Sequence, residues 1–162
     1  MKRRHFLLGL GATMIAPWII SQRPLADTQM NNKIEKLTLT DEEWKTRLSE
    51  EQYYILREEG TERSHTSPLN HEKRKGTYAC AGCELELFTS DMKYDSGTGG
   101  PSFFDVIPDR VETKTDFKLI YPRTEYHCAR CGGHQGHVFK DGPKPTGLRY
   151  CNNGLALKFI PA

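Results

Sequence analysis

The sequence predicts a mainly β domain of antiparallel sheets, led by two short helices and tied together by a four-cysteine zinc site. Beyond Lys75, short runs rich in aromatic and β-branched residues alternate with glycine, proline and aspartate, the punctuation of strands and turns. No helical pattern of about ten residues separates those runs, so antiparallel pairing is expected over parallel. Cys80-Ala81-Gly82-Cys83 and Cys128-Ala129-Arg130-Cys131 lie far enough apart to join two separate hairpins.

The 162 residues allow one domain with a real core once a targeting segment is set aside. Basic side chains number 23 against 21 acidic, so no strong field points to nucleic acid or to an acidic partner. Beyond the first few residues, Lys73, Arg74 and Lys75 form the only tight basic cluster, beside acidic residues, so a zinc-ribbon contact for nucleic acid is not expected.

Lys2, Arg3 and Arg4 precede an apolar run from Phe6 to Ile20 that Gly9, Gly11 and Pro17 interrupt. The run is short for a membrane span and reads as a signal peptide over 1–26. Its adjacent arginines, followed by His5, Phe6, Leu7 and Leu8, resemble a twin-arginine signal, which implies a periplasmic or otherwise exported protein. Cleavage is expected after Ala26, although Pro24 fits the small-residue rule poorly and leaves an uncleaved anchor as the alternative. Residues 27–36 are polar and aperiodic, as a linker would be, and the domain is assigned to 37–162.

Thr40 with Glu43 makes a capping box ahead of Trp44 and Leu48, which share one helix face. Ser49 with Gln52 repeats the device and starts a second helix through Tyr53, Ile55 and Leu56 to Glu59, with Gly60 placed to end it. Thr61 to His71 reads as a loop wrapping the body. Strands are expected at Gly76–Ala79, Leu85–Phe88, Ser102–Ile107, Val111–Thr115, Lys118–Tyr121, Glu125–Cys128, His137–Lys140, Leu148–Cys151 and Leu157–Ile160.

The pairs Cys80, Cys83 and Cys128, Cys131 can present four thiolates at the corners of a tetrahedron, the geometry of structural Zn²⁺. Gly82 lies inside the first pair, and Gly132 and Gly133 follow the second, where backbone amides approach sulfur closely. Two disulfides are the alternative, although a bond closing so short a loop removes little chain entropy. Four protein ligands leave no open position, so the metal's role would be stability, and His134 and His137 are free for other chemistry.

Five cysteines cannot all pair within one chain, and the spacing singles out Cys151. Strand alternation places it on one face with Arg149, whose guanidinium would favour the attacking thiolate. The bland alternative is an inert buried sulfur.

The run from Cys128 through Gly132-Gly133-His134-Gln135-Gly136-His137-Val138-Phe139, with Asp141-Gly142-Pro143 and Pro145-Thr146-Gly147-Leu148-Arg149-Tyr150-Cys151, closely resembles methionine-R-sulfoxide reductases. Ser96-Gly97-Thr98-Gly99, Pro101-Ser102-Phe103, the first cysteine pair and Gly60-Thr61-Glu62-Arg63 extend the match over nearly everything after the linker. The resemblance implies two antiparallel sheets, structural zinc on the four paired cysteines, and reduction of methionine-R-sulfoxide, free or in proteins. Cys151 would attack the sulfoxide sulfur and be left as a sulfenic acid, with His137 and His134 supplying the proton and Asn153 orienting the group. Two structural histidines bonded to turn carbonyls are the alternative. The implied pocket includes Gly100, Phe103, Phe139 and Arg149.

The chain departs from that family at Gly100, where most members carry a tryptophan against the substrate methyl group. Losing that wall costs about 1 kcal/mol or more of substrate holding unless another aromatic such as Phe103 or Phe104 fills the space. Some members carry a resolving cysteine where Thr98 stands, so a thioredoxin-like protein or a small thiol is the expected reductant. Gln135 and the Asn152-Asn153-Gly154 run are expected to alter the rim. The competing class is a zinc-stabilised binding module of the same fold that lost turnover through Gly100. A monomer is expected.

Overall fold

The computed structural model describes residues 34–162, so the signal at 1–26 and the linker as far as residue 33 lie outside the described residues. Both capping boxes form. Thr40 and Glu43 bond each other's backbone ahead of α1 (Asp41–Arg47), and Ser49 and Gln52 do so ahead of α2 (Glu50–Glu58). The face they present buries Trp44, Leu48, Ile55 and Leu56. The second helix ends on Glu59, which itself takes the left-handed conformation (φ 55°), so Gly60 is not the left-handed residue. Gly60 is small for another reason, since a Cβ there would lie 2.3 Å from the Tyr54 ring.

Nine strands follow: β1 (Gly76–Cys80), β2 (Glu86–Thr89), β3 (Lys93–Tyr94), β4 (Ser102–Phe103), β5 (Val111–Asp116), β6 (Arg123–Cys128), β7 (His134–Phe139), β8 (Arg149–Asn152) and β9 (Leu157–Pro161). They form a three-stranded sheet, β2-β1-β9, and a six-stranded sheet, β3-β4-β8-β7-β6-β5, with antiparallel pairing throughout. Aromatic side chains from both sheets fill the core. Phe88 stacks on Phe103 at 4.1 Å between ring centroids, and Tyr78 meets Phe103 edge-on at 5.0 Å. Among the described residues no helix is long and apolar enough to cross a membrane.

The sequence expectation fails in three places. Lys118–Tyr121 has strand composition but forms the exposed turn between β5 and β6, because its apolar side chains face no partner sheet. The run from Ser102 pairs only as far as Phe103, after which the Phe104 amide bonds to the Met92 carbonyl and Ile107 to Leu87. β3, two residues long, carries too little pattern to be read.

Candidate active site and metal cluster

The two C-x-x-C turns are built alike. The Cys80 amide donates to Leu85 and receives the Glu84 amide on its carbonyl, while Cys128 donates to Gly133 and receives Gly132, all at 2.8 or 2.9 Å. In each, the residue after the second cysteine is left-handed, Glu84 at φ 60° and Gly132 at φ 68°. Gly82, inside the first pair, is not left-handed; the position there that is, Glu84, carries a full side chain.

All five cysteines are free, which removes the two-disulfide alternative. The four paired sulfurs are buried and lie within 4.8 Å of one another, with Cys80–Cys131 at 3.7 Å and Cys83–Cys128 at 3.5 Å. A tetrahedron with metal–sulfur bonds of about 2.3 Å has edges of about 3.8 Å, so the cluster has the size a single four-coordinate ion requires. Its surroundings suit thiolates. The Gln135 amide donates to Cys80 Sγ at 3.3 Å, and Arg57 and Arg130 donate to the carbonyls of Cys131 and Cys83. Gln135 therefore serves the cluster and not, as its sequence position led us to expect, the rim of the reactive cleft; its side chain is fully buried.

Cys151 lies on β8, half-buried, between two directly paired neighbours: His137 on β7 and Ser102 on β4. Residues directly opposite in an antiparallel sheet share a face with Cβ atoms about 5 Å apart. The row continues from His137 to Glu125 on β6 and Lys114 on β5, so six-stranded pairing alone lines up Lys114, Glu125, His137, Cys151 and Ser102. The cleft over Cys151 has a volume of about 160 Å³ and is walled by Thr98, Gly100, Arg123, His137, Phe139 and Asn153 among others.

His134 and His137 would face opposite sides of a regular strand. Tyr126 pairs with Gly136 and His127 with His134, so Gln135 is an extra residue, a bulge. The bulge brings both rings together edge to face, 5.6 Å between centroids. His137 Nε2 lies 2.7 Å from Asp116 Oδ2, and His134 Nδ1 lies 2.8 Å from Glu125 Oε1.

On the other side of the sulfur, Thr98 Oγ1 lies 3.7 Å from Cys151 Sγ, 2.8 Å from Ser96 Oγ and 3.5 Å from Arg149 Nη1. Arg149 can only donate, so Thr98 accepts from it and keeps its own proton for the sulfur or Ser96. Arg149 is held by Asp141 through two bonds of 2.8 Å and lies over the Phe139 ring. A family model described as the SelR domain matches residues 48–161 of the chain.

The chain belongs to the SelR domain family. This SelR domain is 54% identical over 129 residues to a peptide methionine sulfoxide reductase MsrB of Methanosarcina mazei, covering 79% of this chain and 90% of that one. Relatives with the same name from Leptospira interrogans and Agrobacterium fabrum are 52% identical over 131 residues and 50% over 127. These cover 80% and 78% of the SelR chain and 98% and 94% of their own.

The remaining sequence-derived site residues of this SelR domain divide. Phe139 and Gly100 line the cleft, whereas Phe103 does not: it is fully buried beneath Phe88, in the core between the sheets. The Asn153 side chain accepts from the Glu62 amide at 2.9 Å and donates to the Gln135 carbonyl at 3.0 Å, which locks the Thr61–Ser64 wall to β7. At Gly100 a Cβ would lie 2.8 Å from the Asn152 carbonyl oxygen and 3.5 Å from Cys151 Sγ, so this backbone excludes a tryptophan as it stands.

Asp116, which no motif marked, is the strongest addition. It accepts the Lys118 amide at 2.8 Å and pairs with Arg123 at 2.6 Å as well as His137. The Lys118 amide and the His137 ring hold its carboxyl well below the usual carboxylate range, so it stays ionised beside the ring. The His134 pKa is lowered too, by burial and despite Glu125, and for an imidazole that favours the neutral form near pH 7.

Proposed function

We propose that this SelR domain reduces methionine-R-sulfoxide, free or in proteins, through Cys151, and that the four paired cysteines hold one structural Zn²⁺. The observation that carries the first part is the position of Cys151. It is the one cysteine outside the cluster, it opens onto a cleft, and it pairs directly with His137.

Sulfoxide sulfur is a poor electrophile until its oxygen takes a proton, so a thiolate and an acid must converge on adjacent atoms. In the proposed step the Cys151 thiolate bonds to the oxidised sulfur while His137, oriented by Asp116, delivers a proton to the oxygen. The oxygen passes to Cys151, the substrate sulfur gains the electron pair and leaves as methionine, and Cys151 becomes a sulfenic acid. Two thiols then restore it: the first displaces water and forms a mixed disulfide, and the second releases the free Cys151 thiol and an external disulfide. The side-chain nearest Cys151 from the Ser96–Gly100 turn is a threonine and the other cysteines are committed to the cluster, so the reductant is an external dithiol or thioredoxin-like protein.

His134 supports this arrangement as a neutral partner fixed by Glu125, and Asn153 as the clamp that sets the cleft wall. Arg149 and Thr98 act on the sulfur from the opposite side. Zinc at the four sulfurs fits the donor set, the burial and the spacing of the cluster; a closed four-thiolate site supplies fold stability. Nothing favours the binding-only alternative.

The basic start and apolar run further support export to the periplasm, with repair of oxidised exported proteins as the task. Reduction of the separated R and S epimers by the purified chain with excess dithiol tests the proposal. The R epimer alone should turn over, and Cys151→Ser should lower the rate by about a thousandfold or more while leaving bound zinc and fold unchanged. Equal rates on both epimers, or activity retained in Cys151→Ser, would overturn it.

A further inference from the structure

Six large hydrophobic side chains are exposed among the described residues, and four of them fall within five consecutive positions: Phe117 (75%), Leu119 (48%), Ile120 (105%) and Tyr121 (64%). Scattered apolar residues are ordinary on a surface, whereas a contiguous group marks a contact site. The other two, Tyr54 and Ile160, stand on separate elements.

The turn that carries the group is firmly built at its base and free at its tip. Asp116 Oδ1 accepts the Lys118 amide, Asp116 Oδ2 pairs with Arg123 across the hairpin, and Lys118 Nζ lies 2.7 Å from Glu59 Oε2. The same base residues belong to the cleft: Asp116 bonds His137, and Arg123 lines the cavity over Cys151. Ile120 is four residues from Asp116 and so within about 14 Å of it along the chain. An extended peptide covers that span in about four or five residues.

We propose that Phe117, Leu119, Ile120 and Tyr121 form a docking surface for apolar residues flanking an oxidised methionine in an unfolded polypeptide. This rests on the reductase function proposed above. Methionine belongs mostly to protein cores, so its sequence neighbours are apolar and meet water only when the host protein opens. Conversion to the sulfoxide makes the side chain polar and promotes that opening. A surface whose base residues Asp116 and Arg123 also belong to the cleft, and which carries four exposed apolar side chains, has the chemistry to hold such a segment while the sulfoxide reaches Cys151.

The test uses the full chain with Phe117→Ser and Ile120→Ser combined, side chains that face water and whose loss should leave the fold and melting temperature unchanged, checked by circular dichroism. Turnover with dithiothreitol is compared on three substrates: free methionine-R-sulfoxide, a peptide with leucine and valine around the sulfoxide, and one with glycine and serine there. The wild-type chain should prefer the apolar peptide. The variant should lose about tenfold in kcat/KM on that peptide through KM, with the free amino acid and the polar peptide unaffected.

Equal kcat/KM of variant and wild type on the apolar peptide overturns the proposal. So does a loss confined to assays driven by a thioredoxin-like protein, which would assign the surface to the reductant, or a loss confined to binding of anionic phospholipid vesicles. A change from dimer to monomer as the only effect would assign it to a second copy and overturns it as well. Should the wild type reduce none of the substrates, the reductase function itself fails. Anisotropy of a labelled, unoxidised apolar peptide on Cys151→Ser then still decides the docking, supported if the tip variant weakens binding about tenfold and overturned if it does not.

Discussion

At Cys151 the surroundings of one sulfur are divided between two kinds of group. On the β7 side stands His137, fixed by an ionised Asp116, and on the other a chain from Arg149 to the Thr98 hydroxyl. A hydrogen bond to a charged acceptor contributes about 1.5–3 kcal/mol, so the Thr98 hydroxyl matters most once the sulfur is a thiolate. Thr98→Val should therefore lower kcat about tenfold with methionine-R-sulfoxide while Thr98→Ser keeps most of it, which steady-state kinetics on the three proteins will show. A threonine acting only as filler would give the opposite order, because valine matches its shape better than serine does.

Asp116 ties the same site to stability against acid. Its carboxyl is depressed in the folded chain, so the unfolded chain takes up the proton first as pH falls, and the stabilisation it gives is complete above the ordinary carboxylate range near 4 and fades below it. Asp116→Asn should be less stable than wild type at pH 6 and lose less on going to pH 3, measured as urea midpoints. A parallel fall in both proteins would show that Asp116 carries no such linkage.

At the scale of elements, the cluster joins parts that no strand pairing joins. Cys80 ends β1 of the three-stranded sheet, and Cys128 ends β6 of the six-stranded one. Structural zinc in small domains is worth about 10–16 kcal/mol of apparent binding energy, comparable to the whole stability of a domain. Cys83→Ser should then bind less than one zinc per chain and melt more than about 10 °C lower, followed by metal analysis and thermal circular dichroism. An unchanged melting temperature with no metal bound would contradict a structural metal.

The elements also show what the sequence could carry. Thr40, Glu43, Ser49 and Gln52 are local signals for local structure, and both helices start where those residues place them. The two cysteine pairs were equally legible, because ligand spacing is set by the ion. The bulge at Gln135 was not: it depends on register against β6, which the β7 residues alone do not specify. Asp116 lies distant in sequence from His137, in a strand whose other residues are exposed apart from the half-buried Val111, and only pairing through β6 brings the two within 2.7 Å. Lys118–Tyr121 misled because aromatic and β-branched composition marks apolar surface seeking a partner, and a strand is only one way to find one. Phe103 misled through its place in a recognised motif, since its neighbour Ser102 faces the cleft side while Phe103 alternates into the core.

In the whole molecule the scaffold and the chemistry are kept apart. Four sulfurs sit at the seam between the two sheets, and the fifth sits mid-strand in a cleft across the larger sheet. Under the proposed step this division would set the stoichiometry. With the other four sulfurs held in the cluster, a chain without reductant would transfer one oxygen to Cys151 and then stop. The most direct measurement mixes the reductant-free chain with excess methionine-R-sulfoxide and follows methionine released and the mass of the intact protein. One methionine per chain, a gain of about 16 Da and dimedone labelling at Cys151 are expected, with zinc retained. No methionine released, or a disulfide that includes Cys151 and one of the paired cysteines, would contradict it.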